Sequence, residues 1–241
     1  MDDLRQITNS IKIKNFDMTH LEAEIHQLKA SVIEMWHIVI SQINKSQMAL
    51  QNFDKNIVQN IQVNEKMVNT YELKIDKDCE NIIALFNPVA VDLRFVLSVL
   101  KINYNLERIG DYANGISKLI DDLETPFSED LLKSCRVMEM YEITIGLLID
   151  TLASFENENK ELTKTIFGKD KNLNKINKEA TQKIADYIIN TPGEVKMAMN
   201  TLSIIRKLER VGDHIQNLAE EMIFFMEAKV LKHAKKMKKE I

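Results

Sequence analysis

Turn-forming residues are nearly missing from this sequence, with 6 glycines and 3 prolines among 241 residues, well under the roughly 7% and 5% of average chains. Sandwiches, barrels and alternating strand–helix folds need such residues at their connections, so the scarcity excludes them and leaves long helices joined by few, short loops. Cysteine is equally scarce. Cys79 and Cys135 are too few and too far apart for a zinc or CxxC redox pair, and are read as buried reduced thiols. No apolar run approaches the roughly 18 residues that a membrane span needs, and a formal net charge of -4 argues against a generally basic nucleic-acid binder. The start, Met1 to Gln6, lacks the apolar stretch of a signal peptide, which places the expected site of action in the cytosol. There is no GxSxG, no GxxxxGKS/T phosphate loop and no Cys–His pairing that sequence can place in space, so hydrolase or phosphotransferase chemistry has no support.

What is present is 45% hydrophobic and 28% charged residues, enough for a full core, arranged with a helical period. Leu21, Ile25, Leu28, Val32, Met35, Val39, Ile43 and Leu50 form one stripe, with Asp17 or Thr19 available as N-cap. A second stripe runs Ile57, Ile61, Val68, Tyr71, Ile75, Cys79, Ile82 and Leu85, ending where Pro88 disfavours helical geometry at Asn87. Pro126, with Ser128 as a cap, and Thr191-Pro192-Gly193 mark later breaks. These signals predict helices over about 19–52, 54–87 and 89–123 in a first unit, 1–125, and over about 129–156, 159–190 and 193–232 in a second, 126–241. Helices of 30 residues are about 45 Å long, and short loops lay them antiparallel. The predicted fold class is all-α, two tandem antiparallel three-helix bundles. Residues 229–241 hold six lysines and one glutamate, read as a solvated end, with contact to an acidic partner or membrane surface as the alternative.

The two units repeat one another. Leu106-Glu107-Arg108-Ile109-Gly110-Asp111 matches Leu208-Glu209-Arg210-Val211-Gly212-Asp213 at an offset of 102, and Ile57, Ile61, Glu65 and Asn69 match Leu162, Ile166, Asp170 and Asn174 at an offset of 105. Glu107/Asp111 and Glu209/Asp213 stand at i and i+4, so each pair shares a helix face. They continue the apolar stripe, which predicts partial burial. Adjacent buried carboxylates call for a metal, a paired base or a raised pKa. Arg108 and Arg210 follow the glutamates directly and so diverge from them by about 100°, which favours the metal. Gly110 and Gly212, each costing about 1 kcal/mol in a helix, point to close approach of another helix or room for ions. With Glu65 and Asn69, or Asp170 and Asn174, on the facing helix, each half offers up to four oxygen ligands. Such a histidine-poor set suits Mg, Mn, Ca or ferric iron better than Cu or structural Zn.

Asp92-Leu93-Arg94 followed by the doubled ERxGD segment resembles the PhoU family of phosphate-signalling proteins, from about Leu21 to Glu227. The resemblance implies a pair of three-helix bundles binding divalent or ferric ions (Mg, Mn, Zn or Fe) through E/DxxxD pairs, here Glu107 and Asp111, Glu209 and Asp213, with Glu65 and Asp170 on the preceding helices. Asn69 and Asn174 depart from the acidic pattern, ligating without charge, and Lys196 stands opposite Arg94 in the repeat, a change that matters if the arginine makes a bidentate contact. The resemblance also implies a non-catalytic adaptor that restrains the phosphate-starvation response. Its implied partners are the ATPase subunit of the phosphate ABC transporter and the phosphate sensor histidine kinase, with membrane association only through them. Homodimerisation is a further expectation, from the resemblance and from twelve methionines with an amphipathic first helix.

Two other readings compete. Glu34-Met35-Trp36-His37 is an ExxH, as in di-iron carboxylate enzymes, but no second ExxH accompanies it; Trp36 and His37 are expected at a core edge or interface. His214 beside Asp213 is expected to be an exposed helix histidine. The other reading is a helical scaffold, either metal-binding and outside phosphate signalling or with no metal role, its acids then being only ion pairs.

Overall fold

Thr19 starts the first helix by a reciprocal capping box. Its hydroxyl accepts from the Glu22 N–H at 3.2 Å while the Glu22 carboxylate accepts the Thr19 N–H at 2.7 Å, satisfying two donors that a helix start otherwise leaves open. The computed structural model describes residues 19–169 and 171–228. In it α1 runs His20–Asn52. Asp54 then caps α2, Lys55–Phe86, by accepting from the N–H groups of Asn56 and Ile57, and α3 follows Asn87-Pro88 as Ala90–Asp121. These three pack mutually as one bundle.

The second half has more breaks than its periodicity predicts. The stretch 129–156 is two helices, α4 (Glu129–Ser134), capped by Ser128, and α5 (Val137–Glu156). Arg136 separates them with φ 57. The buried residues explain the kink, since Leu131, Leu132 and Cys135 are out of phase with Val137, Met140 and Tyr141. Likewise 159–190 divides into α6 (Lys160–Ile166) and α7 (Lys171–Asn190) around Gly168, whose φ of 84 is open to glycine at little cost. A 3-10 turn, Pro192–Glu194, leads into α8, Val195–Glu227, closed at Ala228 with φ 55, short of the predicted 232; the lysine-rich end lies outside the described residues. Among the described residues there is no strand, and no helix is long and apolar enough to cross a membrane.

The two bundles share a core. Trp36 of α1, Phe95 of α3, Phe155 of α5 and Phe225 of α8 pack with ring centroids 5.5 to 6.3 Å apart, contacts typically contributing about 1 kcal/mol each beyond their area. Trp36 is therefore fully core rather than at its edge, while Glu34 and His37 are exposed, which removes the di-iron geometry. Leu85, placed on the buried stripe by its spacing, is exposed, and at the other end of α2 Val58 is buried where the stripe names the half-buried Ile57. Cys79 and Cys135 are buried and free, as expected.

α3 and α8 meet as the seam between the halves and run in opposite directions. Lys101 pairs with Glu221 at 3.0 Å, Asn105 meets His214, Lys207 lies against Gly115, and Asn200 donates to the Leu119 carbonyl. The sequence numbers fall on one helix as they rise on the other, so Arg108 and Arg210 come to the same level of the seam.

Candidate metal centre

The polar residues of α3 divide between two faces. Asn103, Glu107, Gly110 and Asp111 address α2, whereas Lys101, Asn105, Arg108 and Tyr112 address α8.

On the α2 side an acidic groove forms. Glu65 is buried, accepts from Gln42 Nε2 of α1 at 3.0 Å and lies near enough to Asp111 for the two carboxylates to act on each other. Burial raises its pKa, with the Asp111 charge adding and the Gln42 amide opposing. Burial pushes Glu107 up to about 7, helped by the charges of Asp111 and Glu72. Glu72 is raised by burial, then by Asp76 and Asp111. Asn103 ties the helices together by donating to the Glu72 carbonyl at 2.9 Å and the Asp76 carboxylate at 2.8 Å. Gly110 makes this approach possible, since a Cβ there would lie 3.0 Å from Gln42 Oε1 and 3.5 Å from Glu65 Oε2.

The structure brings together three of the first-half residues named from sequence, Glu65, Glu107 and Asp111. Asn69 is exposed. In its place the groove has Glu72 and Asp76, an ExxxD pair in its own right that begins two turns after Glu65. Their counterparts at the 105 offset are Asn177 and Thr181, so a search for repeated acids passes over them; the i, i+4 spacing alone was the available signal.

The donor chemistry fits a hard cation. Five carboxylates line the groove, and the amide oxygens Gln42 Oε1 and Asn103 Oδ1 beside them are buried without a hydrogen-bond donor, which leaves them open to a water or to a hard cation. Among the described residues no three His, Cys, Asp or Glu side chains already stand close enough to hold a metal ion, so loading would need side-chain rotation. Arg108 would have to move, because its Nη1 holds Asp111 Oδ2 at 2.6 Å. The expectation that the arginine is a poor partner for the acids holds for Glu107 at i+1 but not for Asp111, because i+3 returns to the same side.

The second half is built differently. Glu209 and Asp213 are half-buried on α8, with Arg210 3.7 Å from Glu209 and 3.2 Å from Asp213. Asn174 on α7 lines an open groove of about 540 Å³ with Lys171, Lys175, Lys178 and Glu179. Asp170 lies outside the described residues. His214 is half-buried rather than exposed: its Nδ1 meets Asn105 Oδ1 at 2.8 Å, and burial together with the Arg108 and Arg210 charges lowers its pKa.

Comparison with known proteins agrees with this architecture. The PhoU domain model matches twice, over residues 32–120 and 137–222. A phosphate-specific transport system accessory protein PhoU homolog of Pseudomonas putida is 27% identical over 88% of this chain and 82% of its own length. The Escherichia coli accessory protein PhoU is 26% identical over 93% and 92%. The crystal structure of the phosphate transport system regulatory protein PhoU from Streptococcus pneumoniae superposes with a TM-score of 0.80 at 25% identity, covering 88% of this chain and all of that one. Two domain matches spanning most of the chain, on a doubled three-helix bundle with a doubled ERxGD motif, lead to one conclusion: the chain belongs to the PhoU family.

Proposed function

We propose that this protein is a cation-binding, non-catalytic accessory protein of phosphate transport that restrains the phosphate-starvation response from the cytoplasmic side. It does so as an adaptor between the ATPase subunit of the phosphate ABC transporter and the phosphate sensor histidine kinase. Membership of a family whose relatives are named as accessory proteins of the phosphate-specific transport system supports the pathway. The observation that carries the cation reading is the groove between α2 and α3, where carboxylates with raised pKa values converge on buried amide oxygens that have no donor.

Glu72, Asp76, Glu107 and Asp111 would hold the cation, with Glu65 and the amide oxygens of Gln42 and Asn103 behind them. The ion would supply positive charge that keeps these carboxylates ionised together at neutral pH. Self-association as a homodimer belongs to the same proposal. Met35, Met140, Met197 and Met222 are core, but Met48, Met67 and Met199 are exposed and available to a partner.

The test is a phosphate-starvation reporter in cells lacking this chain, grown in abundant phosphate. Wild type should restore repression, and Glu107→Ala/Asp111→Ala should not. A reporter that stays repressed without the chain removes the regulatory assignment, and full rescue by the double variant removes the cation's role in it.

A further inference from the structure

The other face of α3 carries a cluster that the acidic groove does not use. Around Tyr112, at the α3–α8 seam, Arg108 lies 5.4 Å and Lys207 Nζ 5.7 Å from the ring centroid, and the His214 ring is centred 5.7 Å away. Arg210 stands one helical turn before His214 on α8, and its charge, with that of Arg108, bears on the imidazole. Three fixed positive charges and an imidazole thus converge where the two ERxGD motifs cross. Lys207, folded over Gly115, makes no ion pair among the described residues, and both arginines turn their guanidinium groups back to the aspartates of their own motifs.

We infer that this seam is a site for a small tetrahedral oxyanion of the size of inorganic phosphate, held by Arg108, Arg210 and Lys207, and opened when Asp111 and Asp213 are drawn away from the arginines. The chemistry follows from the residues. Guanidinium forks match the oxygens of such an anion bidentately, and an ammonium adds a point charge. Tyr112 supplies a flat wall on which Arg108 and Lys207 rest, and Asn105 holds His214 at the edge of the cluster at 2.8 Å. With the aspartates engaged, both arginines are occupied; with them withdrawn, Arg108 and Lys207 are free for the anion and Arg210 keeps only its longer, 3.7 Å contact with Glu209. Withdrawal by a cation rests on the cation reading proposed above. Linkage then requires that cation and anion each strengthen the binding of the other by the same factor.

Equilibrium dialysis of the full chain with radiolabelled inorganic phosphate tests this, with Mn²⁺ binding measured separately by titration. Wild type freed of cation should bind phosphate weakly, and Mn²⁺-loaded wild type about tenfold more tightly. Asp111→Asn/Asp213→Asn removes both aspartate contacts without any cation, and should bind phosphate at least as tightly as the loaded wild type. Arg108→Gln/Arg210→Gln, checked for unchanged helicity, should lose phosphate in every condition. Phosphate retained by the arginine variant, or no gain in the aspartate variant, overturns the site. Should wild type bind no Mn²⁺ while the aspartate variant gains phosphate, the cation reading fails and the oxyanion seam stands.

Discussion

Arg108 Nη1 stands 2.6 Å from Asp111 Oδ2, one helical turn away, and Arg210 stands in the same relation to Asp213 at 3.2 Å. Each arginine thereby occupies the carboxylate that a cation would need, and each is about one- to two-thirds exposed. Exposed pairs of this kind contribute up to about 1 kcal/mol, so they act as weak latches. Arg108→Gln should accordingly tighten Mn²⁺ binding in the first half by up to about fivefold, measured by calorimetric titration. An affinity lowered by the change would mean that Arg108 supports the cation rather than competing with it.

Glu107 gives the groove a pH signature whose sign can be worked out. Its pKa is about 7 in the folded chain against 4.5 for the free side chain, and Glu72 and Glu65 move the same way. Between those values the folded state keeps protons that the unfolded state has released, so stability falls as pH rises through the window. The contribution is fully present below about pH 4.5 and lost above about pH 7. His214 works in the opposite sense because its pKa is lowered, so the useful comparison is wild type against Glu107→Gln. The cation-free variant should lose less melting temperature than wild type between pH 5 and pH 8. Identical profiles would show that Glu107 is not under strain in the groove.

Lys101 and Glu221 tie the halves together with unequal burial. The glutamate side chain is 3% exposed and the lysine 49%, with Nζ 3.0 Å from the carboxylate and 5.3 Å from the Phe224 ring centroid. Removing the lysine takes an ammonium away from a carboxylate that stays buried at the seam, whereas neutralising the glutamate leaves a lysine that can turn to water. Lys101→Met should therefore cost about 2 kcal/mol and Glu221→Gln clearly less, by denaturant unfolding. The reverse order would place the strain on the lysine.

The fold was readable because helices announce their ends chemically. Thr19 and Ser128 cap where their position predicts, and the glycine and proline shortage leaves few alternatives to long helices. What escaped was set by tertiary packing. Arg136 takes φ 57 with neither glycine nor proline to signal it, because two out-of-phase apolar stripes must both face the core. At the site, Glu107, Asp111 and Glu65 were legible through the repeat. Glu72 and Asp76 were not, because Asn177 and Thr181 break the symmetry that drew attention to the others, and Gln42 reaches the groove from a third helix that no spacing on α2 or α3 can reveal.

That broken symmetry sets the stoichiometry. In the first half α2 brings Glu65, Glu72 and Asp76 to face the motif on α3, and burial raises the pKa of Glu65 and Glu72, with the charge of Asp111 adding to both. In the second half the counterparts of Glu72 and Asp76 are Asn177 and Thr181, so that of the three acids only Glu65 has an acidic counterpart, Asp170, in a stretch of sequence that carries Lys171, Lys175 and Lys178. A divalent ion needs negative charge from its ligands to compensate for the water it gives up, and lysines near the site oppose it. One tight site per chain should result, in the first half, with a second at least tenfold weaker. Glu107→Gln/Asp111→Asn should then abolish the tight phase of a Mn²⁺ titration, while Glu209→Gln/Asp213→Asn should leave it intact. Two equivalent phases in wild type, or loss of the tight phase on changing the second motif, would show that Glu209 and Asp213 gather a charge set of their own despite Asn177 and Thr181 standing where the first half has Glu72 and Asp76.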